Sequence, residues 1–247
     1  MKFRLLIISL YIFSGLSIPW VTAQTSAEKM DSIFRDLSGL TNDSLRIRQL
    51  SDVAYSFETS DPELSLLLYD EAISLSRKEG FPFLEGLNAR YKGLVYKNQA
   101  RYDSALQWMH LAVDLITEEI SITEKAKAYF SLATIYQLKG DFEKATTHYI
   151  SSMKLFEKTG NDVGISKASS NLGAMYFEMN QLDKALLYDS IAVLNARRLN
   201  DSTGLASALV NLGTARNKSG DHDAALGHFL EAMSIARNMG DEFILSY

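Results

Sequence analysis

The sequence predicts an all-α fold, an α-solenoid of stacked antiparallel helix pairs, and three observations lead there. Small residues recur every 40 positions: Gly93, Ala133, Gly173 and Gly213, then Ala105, Ala145, Ala185 and Ala225, then Ala112, Ser152, Ala192 and Ala232. Around them apolar residues step by three and four, which is the spacing of one helix face. Turn residues fall at two fixed places in each period, so every period divides into two helices. Composition agrees with this reading. The chain has 247 residues, 47% hydrophobic and 22% charged, with 3 Pro and no Cys, as expected of a folded protein with long helices rather than a disordered or disulfide-stapled one.

Taken in order, the first element is a secretory signal peptide over residues 1–23. Lys2 and Arg4 precede an apolar run from Leu5 to Phe13 that continues through Leu16 and Ile18. Pro19 and the small residues of Val21-Thr22-Ala23 then place the expected cleavage after Ala23. Ser9, Ser14, Gly15 and Pro19 interrupt the run, which is short for a membrane span. Without Lys2 and Arg4 the 25 basic residues fall to 23 against 30 acidic ones, a net charge of −7. Residues 24–43 hold a leading helix, Ala27 to Leu40, with Met30, Ile33, Phe34 and Leu37 on one face to cover the open side of the first copy.

Five copies then fill residues 44–241. The first starts at Ser44, with Val53-Ala54, Phe57, Tyr69 and Ala72 in the repeated places. Its second helix opens on Asp61-Pro62, Asp as cap and Pro where its missing N–H costs nothing. The third copy shows the pattern most fully. Ala126, Tyr129, Ala133 and Tyr136 step along one helix, Gly140-Asp141 interrupts, and Phe142, Ala145, Tyr149, Ser152 and Phe156 step along the next. Gly140 and Gly220 are expected to close first helices in the left-handed conformation, with Asp141 and Asp221 capping the second ones. Gly80, Gly160-Asn161-Asp162, Asn200-Asp201 and Gly240-Asp241 end the second helices. Residues 242–247, with Phe243 and Ile244, begin an incomplete sixth copy. That leaves an open apolar end, to be met by further chain or by self-association.

Leu172-Gly173-x-x-Tyr176 followed by Ala185 and Ala192, and Leu212-Gly213 followed by Ala225, Phe229 and Ala232, resemble tetratricopeptide repeats in their long, 40-residue variety. The resemblance runs from Ser44 to Asp241. Arg216 departs from it by replacing an aromatic, Met109 and Asp189 stand where a second aromatic is usual, and Lys92 replaces the Leu before Gly93. It implies a right-handed superhelix whose concave face, the inner side of the first helices, binds a peptide or protein partner. Carried onto this chain, that face holds Arg90, Lys97 and Asn98 in the second copy, and Lys127, Phe130, Ser131 and Gln137 in the third. The fourth copy adds Lys167, Asn171 and Phe177, and the fifth Asn211, Thr214 and Asn217. Asn171 and Asn211 stand out, because an amide offers donor and acceptor together and can pair with a peptide backbone. Phe130 and Phe177 read equally well as core. Lys97, Lys127 and Lys167 recur in an otherwise acidic chain and favour an acidic partner.

Other function classes find little support. The absence of Cys excludes thiolate zinc sites, iron–sulfur clusters, cysteine nucleophiles and a lipid-modified cysteine at the signal cleavage point. The four His, at 110, 148, 222 and 228, lie in different copies or lack a metal-pair spacing. There is no Walker loop, no Gly-x-Gly-x-x-Gly and no Gly-x-Ser-x-Gly, and adjacent Glu118-Glu119 point apart. Neither catalysis nor a cofactor nor a metal is therefore expected within these residues. The formal charge of −5 is spread without basic clusters, so no nucleic-acid partner is expected. Membrane contact is expected only through the signal peptide or through segments beyond residue 247. An exported array with a short leading helix resembles the periplasmic input regions of bacterial tetratricopeptide-containing sensor histidine kinases and regulators, which implies a periplasmic sensory or scaffolding domain. A freestanding periplasmic adaptor or assembly factor remains open, as does the repeat region of an enzyme whose catalytic domain follows Tyr247.

Overall fold

The computed structural model describes residues 26–37 and 39–240. The signal peptide over residues 1–23 and the start of a sixth copy over 242–247 lie outside them. Among the described residues there are eleven helices and no strand: α1 (Ser26–Leu37), α2 (Asp43–Phe57), α3 (Pro62–Lys78), α4 (Pro82–Asn98), α5 (Tyr102–Leu115), α6 (Glu118–Leu138), α7 (Phe142–Thr159), α8 (Asp162–Glu178), α9 (Leu182–Leu199), α10 (Ser202–Lys218) and α11 (His222–Met239). From α2 onward they pair as α2/α3, α4/α5, α6/α7, α8/α9 and α10/α11, and each pair stacks on the next to form a solenoid. First helices also meet one another directly, α2 with α4, α4 with α6, and α8 with α10.

Local chemistry sets the boundaries. Asn42, Asp61, Asp141, Asn161, Asp201 and Asp221 each accept a hydrogen bond from a backbone N–H three residues on, satisfying a donor that the first helical turn leaves without a partner. Gly140 follows α6 at φ 80° and Gly160 follows α7 at φ 63°, a region glycine enters without a Cβ clash. The corresponding turns in the second and fourth copies use Ala100 at φ 57° and Asn180 at φ 56° instead.

The small residues that set the period lie where helices approach closely. A Cβ added to Gly213 would stand 2.8 Å from the Phe229 ring, and one added to Gly93 would stand 3.2 Å from the Ala105 carbonyl oxygen. Ala105, Ala145 and Ala185 are fully buried. Ala145→Leu is accordingly expected to overpack the α6–α7 contact and cost ~1–3 kcal/mol. Thermal unfolding checks this, and an unchanged melting temperature would refute it.

Three boundaries differ from the sequence expectation. The leading helix ends at Leu37 rather than Leu40, because the Leu40 N–H turns back to the Leu37 carbonyl at 3.0 Å beside Gly39. Met30, Ile33, Phe34 and Leu37 still pack on the first-copy core of Ile47, Leu50, Leu64 and Leu68. Lys29 pairs with Asp61, the α3 cap, at 2.9 Å. The first pair begins at Asp43, one residue before Ser44, because Asn42 supplies the cap. Finally, Ser121 interrupts α6 with extended backbone (φ −161°, ψ 100°), and its hydroxyl caps the Glu124 N–H at 3.2 Å.

Candidate binding cleft

The first helices α6 and α8 stand further apart than their neighbours, and a cleft of about 260 Å³ opens there. Phe156, near the end of α7, is the wedge. It forms a buried cluster with Ala126 and Leu155, against which Ile122, Tyr129, Phe130 and Ile165 pack, and its ring lies so close to Gly164 that any Cβ there would overlap it. Arg90 reaches the cleft from α4, Lys127, Phe130 and Ser131 from α6, and Val163 and Lys167 from α8, while Asn161 closes the loop end.

Electrostatics make this cleft unusual in an acidic chain. Arg90 is only 7% exposed. Its guanidinium contacts Glu124 at 3.3 Å and lies 4.5 Å from the Tyr91 ring centroid, and its Nε–H has no acceptor among the described residues. The other Glu124 oxygen accepts from Lys127 at 2.7 Å. Lys167 is exposed, with no ion-pair partner among the described residues. In direct contact one carboxylate serves two of the three cations, while Glu58 attracts Arg90 from further off.

Two further clefts continue the surface. One of about 380 Å³ is lined by Ser51, Asp52, Tyr55, Tyr69 and Tyr91, next in sequence to Arg90. There burial raises the Glu58 carboxyl above its ordinary range, while the hydrogen bond from Tyr69 at 2.8 Å and the Arg90 charge pull it back. The other, of about 270 Å³, shares Val163 and Lys167 with the central cleft and runs on to Ser170, Ser207 and Ala208.

Of the residues assigned to the concave face, Arg90, Lys127, Phe130, Ser131 and Lys167 meet in the central cleft. Asn171 and Asn211 are half-buried, and neither side chain has a hydrogen bond among the described residues. Lys97 is half-buried and Asn98 exposed. Several others have structural partners. Gln137 accepts from the Tyr149 hydroxyl at 2.7 Å, Thr214 donates to the Val210 carbonyl at 2.8 Å, and Asn217 meets His222 at 2.7 Å. Phe130 and Phe177 pack against the main core, and Lys218 lies 4.4 Å over the Phe177 ring.

Sequence reasoning missed Phe156, Asn161, Val163 and Gly164 as cleft residues, and Glu124 as the counter-ion of Arg90 and Lys127. The signal for Asn161 was its place in the Gly160-Asn161-Asp162 terminator. Gly164 has a counterpart 40 residues on in Gly204, but Phe156 does not, since Ala196 stands in its place. Another missed arrangement joins the second and third copies. His110 Nε2 lies 3.0 Å from the Tyr136 hydroxyl, and His148 stacks on both Tyr136 and Tyr129. Burial first, and His110 second, hold His148 below the ordinary imidazole range.

Comparison with known proteins bears on the fold that carries this cleft. Residues 124–189 and 164–238 match the family model described as tetratricopeptide repeat. Together the two matches span residues 124–238. Tetratricopeptide repeat protein 29 of Trypanosoma brucei brucei is 28% identical over 140 residues, 56% of this chain; the match spans 28% of that protein's length. Among solved structures, BtubC (BKLC) from P. vanneervenii superposes with a TM-score of 0.76 at 21% identity, covering 87% of this chain and 89% of that one. The apo form of the quorum sensor NprR from B. thuringiensis gives 0.67 at 14% identity, covering 89% and 64%. At these identities the tetratricopeptide solenoid is the shared property. The central cleft lies almost wholly inside the matched repeats, with Arg90 reaching it from the copy before them.

Proposed function

We propose that this chain is a non-catalytic scaffold whose first-helix face holds an extended peptide or a segment of a partner protein. The observation that carries this is the series of three clefts, from Ser51 through Arg90 and Lys167 to Ala208, along the side where first helices meet. A rigid concave array of this kind offers area without ordering cost, and an extended chain reads it through backbone amides and side-chain pockets. Asn171 and Asn211 are half-buried amides with unspent donors and acceptors on this face.

The wider role we propose is the periplasmic sensory or scaffold part of a bacterial signal-transduction protein. Its support is the basic, apolar and small-residue order of residues 1–23, together with a fold shared with a quorum sensor. Peptide display against the immobilised protein is the test. Selected ligands are expected to lose about tenfold in affinity in the Asn171→Ala, Asn211→Ala double variant, the loss of one or two net hydrogen bonds, with circular dichroism unchanged. Ligands indifferent to both substitutions would move binding off this face.

A further inference from the structure

Resting on that groove reading, we infer that the cleft between α6 and α8 receives an acidic side chain of the bound polypeptide, with Glu124 as a built-in competitor for the same cations. The charge balance comes first. The chain carries 30 acidic against 25 basic residues, yet Arg90, Lys127 and Lys167 converge on one cleft. Glu124 satisfies Lys127 and reaches Arg90 only at 3.3 Å.

Arg90 is the decisive group. A guanidinium does not deprotonate in a protein and presents five donors in a fixed fork. Buried with one long contact to Glu124 and a longer-range attraction to Glu58, it keeps an Nε–H without an acceptor among the described residues, so its fork of donors is only partly filled. A carboxylate entering the cleft completes it, through charge-assisted hydrogen bonds of the strong kind.

Shape narrows the ligand further. Phe130, Phe156 and Val163 form an apolar wall beside the cations, so an acidic residue next to an aliphatic one fills the space. The carboxylate belongs to an internal side chain rather than to a chain end, because clefts continue on both sides and a bound strand passes through. A nucleic acid fits poorly. Three cations in a net-negative protein neutralise one or two carboxylates, not a run of phosphates.

Glu124 gives the site its regulation. Its side chain is 20% exposed, and any incoming carboxylate must share Arg90 and Lys127 with it. Removing its charge frees both cations, so affinity rises rather than falls.

The experiment is fluorescence anisotropy on the full chain with short labelled peptides, N-acetylated and C-amidated, carrying a central Glu-Leu or Gln-Leu in one extended sequence. The Glu peptide is expected to bind about tenfold tighter than the Gln peptide, with the gap closing as salt rises from about 50 to about 300 mM. Lys127→Ala and Lys167→Ala, both at exposed positions, are each expected to weaken the Glu peptide about threefold, and Glu124→Gln to strengthen it about threefold. Equal binding of Glu and Gln peptides overturns the acidic subsite while leaving the groove intact. A Gln peptide with a free C-terminal carboxylate that matches the Glu peptide overturns the internal side chain as the source. A weaker Glu124→Gln complex overturns the competitor role. No binding by any of these peptides, nor by display-selected ones, brings down the groove reading itself.

Discussion

Asp189→Leu is expected to unfold at a higher urea concentration than the wild-type chain, with an advantage that grows between about pH 4 and about pH 7 and is constant above. Asp189 is 1% exposed, in α9, at the place occupied by Met109, Tyr149 and Phe229 in other copies. One of its carboxyl oxygens has no hydrogen-bond partner, and it lies so close to Gly173 that only a residue without a Cβ fits opposite. Burial alone raises its pKa to about 7 from the usual 3.8. The sign follows. Below about pH 4 the carboxyl is protonated whether the chain is folded or not. Above that the unfolded chain ionises first, so wild-type stability falls until the folded carboxyl ionises near pH 7. At about 1.4 kcal/mol per pH unit the gap amounts to about 4 kcal/mol. Leucine branches at the same Cγ and carries no proton, and its larger methyls, pressed against Gly173, offset part of the gain by an amount that does not change with pH. Asp189→Asn should show the same pH trend with a smaller fixed gain, since its amide still lacks partners. Urea midpoints at several pH values decide it. An advantage that does not change with pH in either variant would mean that Asp189 is ionised and compensated in the fold.

The architecture was legible because a packing requirement repeats. Gly93, Ala133, Gly173 and Gly213 mark places where two helices leave room for a methyl at most, and a chain that repeats that demand every 40 residues announces the helix pair. Caps were legible for a similar reason, since Asp61, Asp141 and Asp221 satisfy local donors. The cleft was legible only in part. Lys127, Ser131 and Lys167 follow from helix register, but the pairing of Arg90 with Glu124 spans 34 residues and depends on side-chain reach between copies. The opening between α6 and α8 rests on the Phe156 ring fitting the bare Gly164 backbone, a contact the next copy does not repeat, since Gly204 faces no ring and Ala196 takes the place of Phe156. Asp189 was visible as a departure from the aromatic pattern. Its burial without a partner was not, because burial is set by the neighbouring copies.

Tyr149→Ala tests the link between core and cleft, with an expected loss of ~3–5 kcal/mol. Tyr149 is fully buried in α7. Its hydroxyl donates to Gln137 at 2.7 Å and lies 3.0 Å from the Thr134 hydroxyl, and its ring meets Phe130 edge-on at 5.2 Å between centroids. Removing the ring opens a cavity under Phe130 and leaves the Gln137 oxygen without its donor. Tyr149→Phe keeps the ring and loses only the hydroxyl, for about 1 kcal/mol. In a solenoid each pair leans on its neighbours alone, so the damage should be local. Amide exchange in Tyr149→Ala is expected to quicken in α6 and α7 well before α10 and α11, which share no side chain with the site. Because Phe130 also lines the cleft, the Glu-Leu peptide should lose affinity in Tyr149→Ala and keep it in Tyr149→Phe. Exchange that quickens evenly along all eleven helices would show one cooperative unit rather than stacked pairs. Unchanged peptide affinity in Tyr149→Ala would show that Phe130 holds its place in the cleft without the ring behind it.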